Sequence, residues 1–228
     1  MKLAVLSDIH GNLPALEAVL AEVRGNVDRT VFLGDLAGYY PFVSECVQAA
    51  GPELTTAVLG NHDEVLLRSL EQGIPADYRS RFGSALERAR SSLSPAAKEL
   101  ITSWPRQRSL MLDGVKIGMF HGAPWDPLHG RVYPDFKQWQ RFSASAEDII
   151  LLGHTHYSMM REWKDKIILN PGSVGQPRDA SGAACYATLE LPARRIQLHR
   201  VRYDASQVLA DVRRHDPHLP YLAEVLTR

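Results

Sequence analysis

Short apolar runs that break off at Gly, Asp, Asn or His recur along this chain and limit what it can fold into. Leu3 to Leu6 runs into Asp8-Ile9-His10, Thr30 to Leu33 into Gly34-Asp35, and Thr56 to Leu59 into Gly60-Asn61-His62-Asp63. Val115 to Phe120 then stops at His121-Gly122, and Ile149 to Leu152 at Gly153-His154-Thr155-His156. Runs of this length, bounded by turn residues, read as buried strands. Strands that end together carry side chains from distant parts of a chain to one rim, where open α/β sheets place their sites.

Leu13, Leu16, Val19, Leu20 and Val23 recur at helical spacing behind the first run, and a second helix is expected from Val43 to Ala50. The opening is therefore βαβαβ with a mainly parallel first sheet. From Glu64 to about Trp104 the sequence is charged and rich in Leu and Ala, broken at Gly73-Ile74-Pro75 and Ser94-Pro95. It predicts two or three helices forming a cap, about 64–108, beside the site. Lys166 to Leu169, Ala184 to Leu191 and Arg195 to Val201 join the strands at Val115 and Ile149 in a second, partly antiparallel sheet. Asp204 to Arg214 and Pro220 to Leu226 close the chain as amphipathic helices. The expected fold is α/β, two sheets with helices around them, in a single domain over 1–228.

Lys plus Arg and Asp plus Glu each number 26 among 228 residues, so net charge supplies no general attraction to nucleic acid or to an anionic membrane. Affinity for phosphate must be local. Cys46 and Cys185 are too few for a disulfide framework and lack the paired spacing of a thiolate zinc site. The first residues run directly into Asp8 and leave no room for a leader, and no apolar stretch is long enough to span a bilayer, so a cytoplasmic protein is expected.

Taken singly, each motif is ordinary. Asp8 and His10, two apart at a strand end, can be aimed at one metal by an irregular turn, with Gly11 giving the backbone room. Asp35 follows a Gly at the next strand end, where a carboxylate can bridge two cations. Asn61 offers an amide oxygen, and His62 beside it is free for proton transfer, with Asp63 placed to orient it. His121, His154 and His156 add imidazoles, the commonest neutral ligands for borderline divalent metals. His129, His199, His215 and His218 have no partners at ligand spacing. No Gly-x-x-x-x-Gly-Lys loop, Gly-x-Gly-x-x-Gly turn, Gly-x-Ser-x-Gly elbow or His-Glu-x-x-His helix competes.

Asp-x-His, Gly-Asp, Gly-Asn-His-Asp, His and Gly-His-x-His, in that order, resemble the motif set of the calcineurin-like metallophosphoesterase superfamily over roughly residues 3 to 190. The resemblance implies a sandwich of two sheets flanked by helices. It also implies that Asp8, His10, Asp35 and His156 hold a first divalent ion, and Asp35, Asn61, His121 and His154 a second. Gly34 to Pro41 and Asn170 to Arg178 are similar to the compact bacterial and archaeal phosphodiesterase branch. The Val-Asp-Arg-Gly that follows Gly-Asp in the protein serine/threonine phosphatases is missing.

Two cations roughly 3.5–4 Å apart would clamp the phosphate and lower the pKa of the water between them, with His62 as general acid for the leaving oxygen. Oxygen and nitrogen ligands without sulfur suit manganese, iron, cobalt, nickel or zinc, and the family's habits favour manganese. Arg178 could bind a phosphate oxygen, or pair with Asp179 at the surface. Tyr39 and Tyr40 could stack on a base or aryl group or pack as buried side chains, and Asn12 could touch phosphate or cap the helix behind it. The substrate expected is a small, nucleotide-like phosphodiester. The alternatives are a phosphomonoester or dinucleoside-polyphosphate hydrolase, and a non-catalytic scaffold similar to the retromer sorting subunit. The cap's apolar spacing suits either shielding of the metals or a homo-oligomer contact.

Overall fold

A computed structural model describes residues 1–228. Its strands are β1 (Lys2–Leu6), β2 (Arg29–Phe32), β3 (Gln107–Leu112), β4 (Val115–Phe120), β5 (Ile149–Leu151), β6 (Ser158–Trp163), β7 (Lys166–Pro171), β8 (Ala184–Glu190) and β9 (Arg195–Val201). Its helices are α1 (Leu13–Val23), α2 (Val43–Ala50), α3 (Asn61–Gln72), α4 (Tyr78–Phe82), α5 (Ala85–Ser91), α6 (Pro95–Thr102), α7 (Ser206–His215) and α8 (Tyr221–Glu224). No helix is long and apolar enough to cross a membrane.

Alternation along β1 sets the layers. Leu3 and Val5 point into a core shared with Ile117, Met119, Ile149, Leu151 and Leu169 of the other sheet. Ala4 and Leu6 point the other way, onto Leu16, Val19 and Leu20 of α1. Because strand side chains alternate with a period of two, one apolar run serves both faces. The outer face of the second sheet is covered in the same way, with Ile150 and Ile168 under Trp139 and Phe142. The result is two face-to-face sheets with helices outside, as expected.

The strand orders are β2-β1-β8-β9 and β3-β4-β5-β7-β6. β1 pairs parallel with β2 but antiparallel with β8, and β8 pairs antiparallel with β9. β8 and β9 therefore return to the first sheet rather than extend the second, and the first sheet is mixed instead of mainly parallel. Thr56 to Leu59 is not a strand: it makes a single parallel bridge, Phe32 to Ala57. Two strands escape the sequence reading. β3 and β6 are the edges of the second sheet, and their half-exposed sequences lack an apolar run.

The cap contains four helices, α3 to α6, and begins at Asn61 rather than Glu64; β3 starts already at Gln107, so the helical region ends short of residue 108. The closing helices brace it. Asp216 accepts from the backbone and hydroxyl of Ser84, both at 2.8 Å, at the start of α5. Arg88 forks onto Asp211 of α7 at 2.6 and 2.8 Å, a bidentate geometry.

Candidate metal centre

β1, β2, β4 and β5 end at one rim, and hydrogen bonds between their loops fix how those ends meet. Asp8 N donates to Gly34 O at 3.0 Å, His10 N to Asp35 O at 2.9 Å, and Gly153 N to His121 O at 2.8 Å. Gly60 lies so close to the Asp35 turn that a Cβ on it would stand 2.1 Å from Asp35 Oδ1 and 2.2 Å from Asp35 N. Only glycine permits that approach.

Asp8, His10, Asp35, His154 and His156 all have φ between 53° and 65°. This left-handed conformation costs a non-glycine residue on the order of 1 kcal/mol or more and gathers at functional sites. The turn after each strand thus bends sharply and throws its side chain inward.

The inward groups form two clusters, Asp8 with His10 and His156, and Asp35 with His121 and His154, the ligand atoms of each lying within 4.8 Å of one another. His10 Nδ1 is 2.9 Å from Ala37 O, His121 Nδ1 2.8 Å from Leu33 O, and His156 Nδ1 2.7 Å from Gln176 O. A carbonyl can only accept, so each Nδ1 donates and each Nε2 points to the centre, where it can offer a lone pair once it carries no proton. There His10 Nε2 and His156 Nε2 stand 3.0 Å apart.

Two carboxylate oxygens, Asp8 Oδ1 and Asp35 Oδ2, are buried without any hydrogen-bond partner. Asp8 Oδ1 is 3.2 Å from His156 Nε2 and 3.6 Å from His10 Nε2. Asp35 Oδ2 is 3.3 Å from His121 Nε2 and 3.9 Å from His10 Nε2, between the two clusters. Asn61 Oδ1 is 3.0 Å from His121 Nε2. Unpaired buried anionic oxygens facing nitrogen lone pairs are costly unless a cation lies among them. The residues therefore fit a pair of divalent ions.

The electrostatics agree. Burial lowers His154 to about 3 and His156 to about 4, keeping both neutral as ligands must be. At His121 burial also disfavours charge, but the facing Asp35 carboxylate outweighs it and raises the ring to about 9, so a cation binding there would displace a proton. Burial alone would raise Asp8 and Asp35, yet the surrounding imidazoles hold both below the usual carboxylate range.

His62 follows Asn61 in the first turn of α3. Its backbone N donates to Asp35 Oδ1 at 2.8 Å, and its Nδ1 lies 2.5 Å from the Tyr78 hydroxyl. Asp63 does not orient it. The Asp63 carboxylate instead accepts from Asp35 N at 2.8 Å, Ala37 N at 2.9 Å and Gly60 N at 3.1 Å, tying the two motif turns together. Burial drives His62 down to about 3, so it is neutral at ordinary pH.

A cavity of about 510 Å³ opens over the clusters, lined by Asp35, Asn61, His62, His154 and His156 and by Tyr39 and Arg178. Arg178 Nη2 donates to Tyr39 Oη at 3.0 Å and Gln176 Oε1 at 3.3 Å. Asp179 is not its partner, because Asp179 pairs with Arg200 at 2.6 Å. Asn12 and Tyr40 each take the structural one of the two roles the sequence left open. Asn12 does not line the cavity; it caps α1 through Ala15 N at 3.2 Å and donates to Gly175 O at 2.8 Å and Tyr203 Oη at 3.0 Å. Tyr40 is fully buried under α8, donating to Leu222 O at 3.0 Å.

The cavity wall also holds residues that no motif marked: Tyr78 and Phe82 from the cap, and His129, Arg131 and Tyr133 from the loop beyond β4. Arg131 Nε lies 3.2 Å from His154 Nε2. The His129-Gly130-Arg131 step was the only local signal, and nothing in it indicates direction.

The family model described as the calcineurin-like phosphoesterase superfamily domain matches residues 1–194. An uncharacterized protein of Methanocaldococcus jannaschii is 30% identical over 220 residues, 89% of this chain and 88% of that protein. A metallophosphoesterase from Sphaerobacter thermophilus superposes with a TM-score of 0.79 at 29% identity, covering 100% of this chain and 99% of that one. A hypothetical protein from Pyrococcus horikoshii OT3 shares the fold, with a TM-score of 0.82 at 19% identity over 99% of this chain and 97% of that one.

Proposed function

The chain belongs to the calcineurin-like phosphoesterase superfamily, and on that premise we propose that it is a two-metal phosphodiesterase acting on small, nucleotide-like diesters. The observation that carries the reading is the pair of orphaned oxygens, Asp8 Oδ1 and Asp35 Oδ2, each faced by imidazole Nε2 atoms. Asp8, His10, Asp35 and His156 would hold one ion, and Asp35, Asn61, His121 and His154 the other. Manganese is favoured over iron, cobalt, nickel or zinc, all of which suit this oxygen and nitrogen set. When bound, such a pair supplies Lewis-acid clamping of phosphate oxygens and water of lowered pKa.

The chain's own groups do the rest. Arg178 has no carboxylate partner and is braced by neutral groups, leaving guanidinium N–H donors for a phosphate oxygen. Tyr39, packed edge-on to His10 at 4.6 Å, walls the cavity and offers a surface for a base or an aryl group. His62 serves the leaving oxygen. Because burial keeps the ring neutral, His62 acts not as the general acid expected from the sequence but through a hydrogen bond from its N–H to the charge that develops there, and the released oxygen takes its proton from water. The cavity of about 510 Å³ extends between Tyr78 and Phe82 of α4 and the Arg131 loop, a volume that suits a diester.

Arg131 and Arg178 both border the cavity without an acidic partner, and that surplus of positive charge favours a second reading, a phosphomonoester or dinucleoside-polyphosphate substrate. Hydrolysis of bis-aryl against mono-aryl phosphates, with and without manganese, separates the readings. The expected result is metal-dependent turnover with the diester preferred; inactivity with every metal would overturn both. His62→Ala should retain metal and lose about 10²-fold in kcat on an unactivated leaving group, with a smaller loss on nitrophenyl esters. An equal loss on both would remove His62 from the leaving oxygen.

A further inference from the structure

We propose that Tyr78 is the positioning residue for His62: its hydroxyl donates to Nδ1 and thereby fixes the ring proton on Nε2, the nitrogen left for the cavity. This rests on the role given to His62 above. The two groups are each other's sole side-chain partner. His62 Nδ1 meets the Tyr78 hydroxyl at 2.5 Å, His62 Nε2 makes no hydrogen bond within the protein, and His62 lines the cavity.

Proton accounting gives the direction. If Nδ1 carried the hydrogen and Tyr78 accepted it, the phenolic hydrogen would have no acceptor within the protein, and Tyr78 is only 5% exposed. A buried donor left unmade costs about 1–3 kcal/mol. With Tyr78 donating, both groups are satisfied and Nε2 bears the hydrogen. Nothing else can perform this task. No other side chain hydrogen-bonds the ring, whose aromatic neighbours are Phe82 at 5.0 Å, Tyr39 at 5.2 Å and His10 at 5.2 Å. The neighbouring carboxylate of Asp63 is fully engaged with backbone N–H groups.

A neutral hydroxyl also differs in kind from the carboxylate that commonly orients a histidine. A carboxylate would favour the imidazolium, whereas a hydroxyl fixes the tautomer without adding charge beside the candidate metal pair. Tyr78 sits on α4, whose Phe82 packs on both His62 and Tyr78, at 5.0 and 4.7 Å. The orienting group thus comes from α4 while the group it orients comes from the first turn of α3, and the packing of α4 on α3 determines whether the His62 N–H is aimed.

Two measurements test this. In the zinc-loaded wild-type protein, a long-range proton–nitrogen correlation spectrum should place the His62 hydrogen on Nε2 and show Nδ1 as a hydrogen-bonded acceptor; a hydrogen on Nδ1 overturns the proposal whether or not any variant folds. In kinetics, Tyr78→Phe should lower kcat roughly tenfold for a phenyl leaving group, with little change for nitrophenyl or in KM. It should add nothing further in a His62→Ala background. Losses equal for the two leaving groups, or additive with His62→Ala, would reduce Tyr78 to a packing residue. If His62→Ala itself shows no dependence on leaving group, the role of His62 fails instead, so the two failures are distinguishable.

Discussion

Asp35→Asn is expected to lower turnover by about 10³-fold or more and to reduce the metal content of the purified protein. The magnitude follows from the several kcal/mol that a metal pair contributes to stabilising charge in the transition state, at about 1.4 kcal/mol per factor of ten. Asp35 is singled out because its Oδ2 stands between the two clusters, 3.3 Å from His121 Nε2 and 3.9 Å from His10 Nε2. An anion shared by two cations is also what limits their mutual repulsion. Asn is nearly the same size, and its amide oxygen can still accept from His62 N, so the melting temperature of the metal-free protein should change little. Elemental analysis with a parallel assay checks this, and wild-type activity in the variant would reject the bridging role.

Asp63→Ala should give the largest loss of stability, about 3 kcal/mol or more. The wild-type carboxylate accepts from three backbone N–H groups, those of Asp35, Ala37 and Gly60, and its removal leaves three buried donors without their acceptor. Each such donor costs about 1–3 kcal/mol. Urea unfolding should show a lower midpoint at unchanged slope. Activity should fall too, because the same bonds hold the Asp35 turn against Gly60. A midpoint close to wild type would mean that the turns hold together without this clamp.

Much of the candidate metal centre was legible in the sequence because its chemistry is local. An apolar run followed at once by Asp8-Ile9-His10 or Gly153-His154-Thr155-His156 states both where a strand ends and what stands at its tip. The layering was legible for the same reason, since a run like Leu3 to Leu6, apolar at every position, must be covered on both faces. What the sequence leaves open is non-local or degenerate. Nothing in Ala184 to Val201 says that these strands pair beside β1 rather than beside β7, because a register between strands more than 180 residues apart has no local signature. Edge strands such as Ser158–Trp163 bury too little to carry a pattern.

Ambiguous side chains account for the remainder. Asn12 has the chemistry to touch phosphate or to cap a helix, and only the fold reveals that its amide is used up on Ala15, Gly175 and Tyr203. Asp63 lies next to His62 in the sequence, yet helical geometry sends neighbouring side chains to different sides, so it faces the backbone while Tyr78, sixteen residues on, faces the ring. The left-handed turns at Asp8, His10, Asp35, His154 and His156 belong to the same class. Residues other than glycine adopt that conformation at a cost, and a sequence does not display which of them do so.

Diffraction from crystals grown with manganese, recorded for its anomalous signal, addresses the central claim most directly. The account predicts two peaks in each chain, one bonded to Asp8, His10 and His156, the other to Asn61, His121 and His154, with the Asp35 carboxylate joining them. A single peak, or peaks away from these side chains, would contradict it.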